Sequence, residues 1–255
     1  MITNEQTNVN DLKTSNGDDQ IGKSIQENKK QFLDQVKGKL IVSCQALKDE
    51  PLHGSAIMAK MALAAAQGGA AAIRANGRED IIAIKKEVNL PVIGLVKRNY
   101  KNYEVYITPT KKEIEELMEA GVDVIALDAT KRKRPNGEEL EELIEYIQHH
   151  GVLAMADIST LQEGMEAVRK GADIISTTIS GYTEYTKSDN NGPDIQLVKD
   201  LCEHSSIPVI AEGRIKTPEE AVQVLNMGAH AVVVGSAITR PQLITESFTN
   251  ALKRR

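Results

Sequence analysis

Polar and charged residues stand where short apolar runs of the chain end: Cys44-Gln45, Arg74, Lys97, Asp128, Asp157, Thr177-Thr178, Glu212 and Ser236. A buried run of Val, Ile and Ala gains nothing in packing from such groups, because an unpaired polar side chain is costly away from water. Brought together, they supply two cations, three carboxylates and several neutral hydrogen-bonding groups. Clusters of this kind shift one another's pKa values and can move protons to and from a substrate.

Two further segments have the character of an anion grip. Ala-Glu-Gly213-Arg214 and Val-Gly235-Ser236-Ala-Ile are small-residue turns, each leading toward a helix, where backbone N–H groups point outward and favour a phosphate. Arg240, one turn beyond, can add a charge-assisted contact. Metal chemistry is not expected, since none of His53, His149, His150, His204 and His230 stands at the end of an apolar run. Cys44 lies near the polar cluster without a histidine to activate it, so a packed thiol is expected rather than a nucleophile. The basic run Lys131-Arg-Lys-Arg134-Pro follows Asp128-Ala-Thr in a loop, where it can attract an anionic substrate or stand solvated.

The elements that must position these residues repeat. Eight apolar runs, Leu40–Cys44, Ala70–Arg74, Pro91–Val96, Val122–Asp128, Val152–Asp157, Ala172–Thr178, Pro208–Gly213 and Ala231–Ser236, read as strands buried on both faces. Between them lie helical stretches. Thr110-Lys-Lys-Glu113, Ser159-Thr-Leu-Gln162 and Thr217-Pro-Glu-Glu220 fit the capping box that opens a helix, while Gly69, Gly121, Gly171 and Gly228 fit its close. Eight βα units in about 220 residues predict a closed (β/α)8 barrel, the TIM barrel, whose chemistry sits at the C-terminal ends of the strands. A doubly wound open sheet is the competitor, but strand one runs into Gln45-Ala-Leu instead of a Gly-rich loop.

Residues 1–35 are polar and read as a flexible extension, with a short lead-in helix near Ile25 to Val36; residues 36–255 form the barrel. The 255 residues carry 31 Lys and Arg against 36 Asp and Glu, a balance that disfavours sequence-independent nucleic-acid binding. Aromatic residues are only 3%, with no Trp, which argues against a base-stacking platform. No apolar stretch reaches the roughly 18 residues of a spanning helix, and Glu5, Asp11, Asp18, Asp19 and Glu27 fit neither a secretory nor a transit leader. Two cysteines give no disulfide framework and suit a reducing cytoplasm.

With these residues identified, the chain resembles the N-acetylmannosamine-6-phosphate 2-epimerases of bacterial sialic acid breakdown. The likeness rests on Ser43-Cys-Gln-Ala-Leu47, Ile73-Arg-Ala-Asn76, Val92-Ile-Gly-Leu-Val-Lys97, Leu127-Asp-Ala-Thr with Arg132 and Arg134-Pro, and Met155-Ala-Asp157. It continues through Ser176-Thr-Thr-Ile-Ser-Gly-Tyr-Thr183, Val209-Ile-Ala-Glu-Gly-Arg214 and Val234-Gly-Ser-Ala-Ile-Thr-Arg240. The resemblance implies cofactor-free inversion at C2 of N-acetyl-D-mannosamine 6-phosphate, giving N-acetyl-D-glucosamine 6-phosphate, by a cytoplasmic homodimer. It implies Lys97 for proton transfer at C2, with Glu212 in a complementary acid/base role, either in ring opening or at the opposite face. Gln45, Arg74, Asp128 and Asp157 would orient the substrate or each other, and Gly213, Arg214, Gly235, Ser236 and Arg240 would take the phosphate. Two other readings fit the residues alone: a Schiff-base aldolase using the Lys97 amine, and a sugar-phosphate sensor that binds without turnover.

Overall fold

The eight apolar runs become eight strands in the computed structural model, which describes residues 25–187 and 190–254. They are β1 (Leu40–Cys44), β2 (Ala72–Asn76), β3 (Val92–Leu95), β4 (Val124–Asp128), β5 (Leu153–Asp157), β6 (Ile174–Ser176), β7 (Val209–Glu212) and β8 (Ala231–Val234). Each pairs in parallel with the next, and β8 returns to β1, so the sheet closes as the predicted (β/α)8 TIM barrel. The margins differ by one or two residues. The largest consequence is at β2, which runs on to Asn76 and leaves Arg74 inside the strand instead of at its end.

Parallel neighbours need crossovers, and helices supply them: α1 (25–36), α2 (Ser55–Gln67), α3 (Arg78–Glu87), α4 (Lys111–Glu119), α5 (Leu140–His149), α6 (Leu161–Arg169), α7 (Ile195–His204), α8 (Pro218–Asn226), α9 (Ser236–Thr239) and α10 (Pro241–Lys253). The boxes at Thr110 and Thr217 form as predicted. The third is displaced by one residue. Thr160, not Ser159, caps α6, because its hydroxyl accepts from Glu163 N, while the Glu163 carboxylate turns back to take the Ser159 N–H and hydroxyl. All four predicted closing glycines have positive φ, where a Cβ would be strained.

Strand residues alternate between two faces. Ile41, Ile93, Leu95, Val124, Ala126, Leu153, Met155, Ile174, Ile210, Ala231 and Val233 belong to one interior cluster, whereas the alternate residues pack outward under the helices. Continuing the inward set by two residues toward the C-terminal ends brings up Ser43, Arg74, Asp128, Asp157, Ser176 and Glu212. The apolar filling therefore gives way to a polar layer at the mouth.

The opposite end of the barrel is closed by α1. Its Phe32 and Val36 are buried in the interior cluster. Gln35 donates to Ala71 O, the Leu33 carbonyl meets His230 Nε2 at 2.9 Å, and Lys29 pairs with Asp173 at 2.9 Å. The lead-in helix expected near Ile25 to Val36 is thus present and forms an integral floor, docked through Phe32 and Val36. Residues 1–24 of the expected extension lie outside the described residues. Truncating Phe32 leaves a void under the barrel, so Phe32→Ala is expected to cost about 3–5 kcal/mol, measured by urea unfolding; an effect below about 1 kcal/mol would show α1 to be an appendage.

Candidate active site

The polar layer is organised by Arg74, whose side chain is 1% exposed. The guanidinium grips Asp157 in a fork, Nη2 to Oδ2 at 2.5 Å and Nη1 to Oδ1 at 3.1 Å, and Nη1 also meets Glu212 Oε2 at 2.8 Å. Thr178 donates its hydroxyl between the two carboxylates, 2.8 Å from Asp157 and 3.0 Å from Glu212. Burial alone would lower the Arg74 pKa, but Asp157 and Glu212 outweigh it, so the guanidinium is held above its ordinary range and stays charged. Strands β2, β5 and β7 are thereby joined through their side chains inside the mouth.

Above this layer opens a cleft of about 930 Å³, lined by Ser43, Gln45, Arg74, Lys97, Glu212 and the turns after β7 and β8. Its size suits a small metabolite. Lys97 follows β3 and is held by its main chain, its N–H donating to Asn76 Oδ1 and its residue bridging Ile107. Its ammonium group has no hydrogen-bond or ion-pair partner among the described residues. Burial, and secondarily the Arg74 and Arg240 cations, lower its pKa against the opposing pull of Glu212 and Glu50. Glu212 moves the other way: burial raises its pKa, with Asp157 adding to this, while Arg74, Thr178 and Lys97 offset part of the rise. A base made easier to deprotonate therefore shares a cleft with an acid made easier to protonate, which is the disposition proton transfer at carbon requires. Gln45 leaves its Oε1 buried without a donor, and Arg74 likewise leaves Nε without an acceptor.

At the other end of the cleft are Gly213, Gly235, Ser236 and Arg240. The backbone N–H groups of Gly213, Gly235 and Ser236 have no acceptor among the described residues. Arg240 reaches the cleft while pairing with Glu50. Arg214 also lines the cleft, but two of its guanidinium nitrogens are taken by the protein. Its φ of +55° turns the side chain aside, and the guanidinium donates to Ser180 O and Gly192 O. Gly181 permits this, since a Cβ there would overlap that guanidinium. Arg214 accordingly ties the segment after β6 to the rim while still lining the cleft.

Asp128 and Asp157 stand fully buried behind the cleft wall. Asp128 accepts from Thr130 and pairs with Arg132 at 2.6 Å; Arg134 is buried against Pro109 O, and Lys131 lies over the Tyr185 ring. Arg132 and Arg134 are therefore absorbed into the fold, while Lys131 stays exposed over the Tyr185 ring. Cys44 is buried and its thiol is pushed up to about 12, which keeps it protonated at neutral pH. Among the described residues no group of three His, Cys, Asp or Glu side chains could hold a metal. Sequence reasoning missed Tyr106 and Tyr182 as lining residues. Tyr106 comes from the long excursion between β3 and α4, where no local pattern marks it. Tyr182 stood within Ser-Gly-Tyr-Thr, a segment quoted for its likeness without a role for the ring.

A closed barrel with Lys97 and Glu212 facing one cleft at its C-terminal mouth and unpaired main-chain donors after β7 and β8 is the arrangement of an enzyme acting on a small molecule. The family model described as "Putative N-acetylmannosamine-6-phosphate epimerase" matches residues 58–254. A Clostridium perfringens (strain SM101 / Type A) protein named "Putative N-acetylmannosamine-6-phosphate 2-epimerase" is 60% identical over 222 residues, covering 87% of this chain and all of that one. A counterpart in Clostridioides difficile is 58% identical, covering 87% and 99%. The solved structure of the Clostridium perfringens 2-epimerase superposes with a TM-score of 0.84 at 58% identity, covering 86% of this chain and 95% of that one. The chain belongs to the N-acetylmannosamine-6-phosphate epimerase family.

The buried fork makes a thermodynamic prediction. Asp157→Asn leaves the Arg74 charge poorly compensated, and removing one partner of a buried pair costs about 3–5 kcal/mol. Urea unfolding should report that loss, whereas the exposed pair Lys60–Glu87 should change by less than about 1 kcal/mol on Glu87→Gln.

Proposed function

We propose that the protein interconverts N-acetyl-D-mannosamine 6-phosphate and N-acetyl-D-glucosamine 6-phosphate by proton transfer at C2, with Lys97 and Glu212 as the catalytic pair. The observation that carries this reading is the opposed shift of the two groups across one cleft: Lys97 down, Glu212 up. In the open-chain sugar the C2 hydrogen lies α to the C1 aldehyde. The neutral Lys97 amine takes that proton, the C2–H electron pair forms the C1–C2 double bond, and charge collects on the C1 oxygen. Arg74, whose Nε lacks an acceptor, supplies positive charge toward that oxygen. A proton from the Glu212 carboxyl then returns to C2 on the opposite face and inverts the centre. Lys97 ends protonated and Glu212 ionised, which is the starting state for the reverse direction.

Gln45 Oε1 is available for an N–H or O–H of the sugar, and the main-chain groups of Gly213, Gly235 and Ser236 with Arg240 receive the phosphate. Asp157 and Asp128 act from behind, Asp157 by holding Arg74 and Asp128 by holding Arg132. No cofactor is required by this chemistry. The Schiff-base alternative would use the same amine, and the two separate on treatment with borohydride in the presence of substrate.

The folded barrel with its helical floor forms one domain behind an N-terminal extension, and the active species is a homodimer. Helix α10 supports the latter: none of its residues is buried, and Leu243, Phe248 and Leu252 are exposed on it. A second copy of the chain would cover them. Both cysteines are free, which agrees with a cytoplasmic setting, and no helix among the described residues is long and apolar enough to cross a membrane.

Proton NMR of the protein with N-acetylmannosamine 6-phosphate in D2O, with EDTA present, should show the gluco epimer carrying deuterium at C2; folded protein giving neither epimer nor exchange overturns the proposal. Lys97→Met should lower kcat/KM by at least about 10³-fold, in the range of one lost acid–base group. For the wild type, kcat/KM in the manno-to-gluco direction should be bell-shaped in pH, because the reactive form needs the Lys97 amine neutral, which raising the pH favours, and the Glu212 carboxyl protonated, which raising the pH removes.

A further inference from the structure

Arg240 lies at the junction of α9 and α10, far in sequence from the strand that carries Lys97, and its side chain does not stand free. Glu50, in the segment between β1 and α2, takes one edge of the guanidinium as a fork: Arg240 Nε meets Oε1 at 2.7 Å and Nη2 meets Oε2 at 3.0 Å. The carboxylate is itself fixed, since Leu47 N–H donates to its Oε2 at 2.7 Å and the Glu50 N–H donates to Leu47 O. Only 16% of the Glu50 side chain is exposed. Glu50 is not part of the cleft wall, whereas Arg240 is.

A guanidinium carries five donors in a rigid plane. Glu50 occupies the Nε–Nη2 edge, and Nη1 has one long contact with Ser236 Oγ at 3.3 Å. What remains is the outer Nη1–Nη2 edge, two parallel donors of the spacing that grips a phosphate bidentately. We infer that Glu50 is a positioning residue which, by clamping one edge of Arg240, presents the other edge to the substrate phosphate. This rests on the reading of the Gly235, Ser236 and Arg240 end of the cleft as the phosphate site. A fixed arginine loses less conformational entropy when the anion arrives, so the benefit falls on binding.

The clamp also reaches the catalytic base through its charge. Lys97 is faced by Arg74 from β2, Glu212 from β7, Arg240 from the α9–α10 junction and Glu50 from the β1–α2 segment. Arg240 disfavours the ammonium and Glu50 favours it. Removing Glu50 must therefore shift the Lys97 ionisation to lower pH, and removing Arg240 must shift it to higher pH.

The test compares Glu50→Gln, Glu50→Asp and Arg240→Ala with the wild type by steady-state epimerisation of N-acetylmannosamine 6-phosphate across pH, with thermal unfolding alongside. Expected are a KM raised about 10-fold in Glu50→Gln with kcat within about 2-fold, partial rescue in Glu50→Asp, and a larger KM increase in Arg240→Ala. The ionisation seen in kcat/KM should move to lower pH in Glu50→Gln and to higher pH in Arg240→Ala. A raised KM in Arg240→Ala with an unmoved KM in Glu50→Gln overturns the role of Glu50 while keeping the phosphate site. Unchanged KM in Arg240→Ala overturns the phosphate reading and the clamp with it. A Glu50→Gln enzyme that loses kcat and melting temperature together, with no shift in the pH profile, assigns Glu50 to loop structure only.

Discussion

A permanently charged guanidinium inside the barrel is the constraint around which the rest is arranged. Desolvating it is costly, and the cost is met by an opposite charge within hydrogen-bond distance on each of two other strands. Asp157 on β5 and Glu212 on β7 fill that role for Arg74 on β2. Because the three strands are not neighbours in the sheet, the contacts cross the barrel interior. They require the filling below them to stop two residues short of the strand ends, which Met155, Ala126 and Ile210 do. Glu212 then inherits two duties: it compensates Arg74, and it faces the cleft where a proton has to be delivered.

The position of the site follows from strand periodicity more than from the loops. Once Ile41, Ile93 and Leu153 are turned inward, so are the polar residues on the same face two or four positions further along, wherever the strand extends that far. Loops contribute the remainder through backbone N–H groups after β7 and β8 and through side chains brought from a distance, such as Arg240 and Tyr182. The floor contributes indirectly, since α1 fills the lower interior and keeps water from undermining the buried ion pairs.

Strands, closing glycines and two of three helix caps were legible because each is set by residues within a few positions of one another. The chemical identity of the site was legible for a related reason: Lys97, Arg74 and Glu212 interrupt apolar runs where only function or pairing explains them. Which polar groups pair was not legible. Arg74 meets Asp157 across 83 positions and Arg240 meets Glu50 across 190, and no local pattern encodes such distances. The protein partners of Arg214, Arg132 and Arg134, namely Ser180 O, Gly192 O, Asp128 and Pro109 O, were hidden for the same reason, since they emerge only with the fold. The lead-in helix near Ile25 to Val36 was legible as a helix, but its docking was not, because Phe32 and Val36 bury themselves against strands far along the chain.

The floor has a consequence for how the chain reaches this state. The Leu33 carbonyl and His230 are 197 positions apart, and β1 finds its second partner only in β8. Helix α1 thus cannot complete its contacts until β8, the last strand among the described residues, has emerged. Until then its apolar stripe and both open edges of the growing sheet are uncovered, a state of high contact order in which collapse onto other chains competes with closure. Sealing of the ring is therefore the step that joins the most distant parts of the described chain, and it is the step that covers the last open sheet edges.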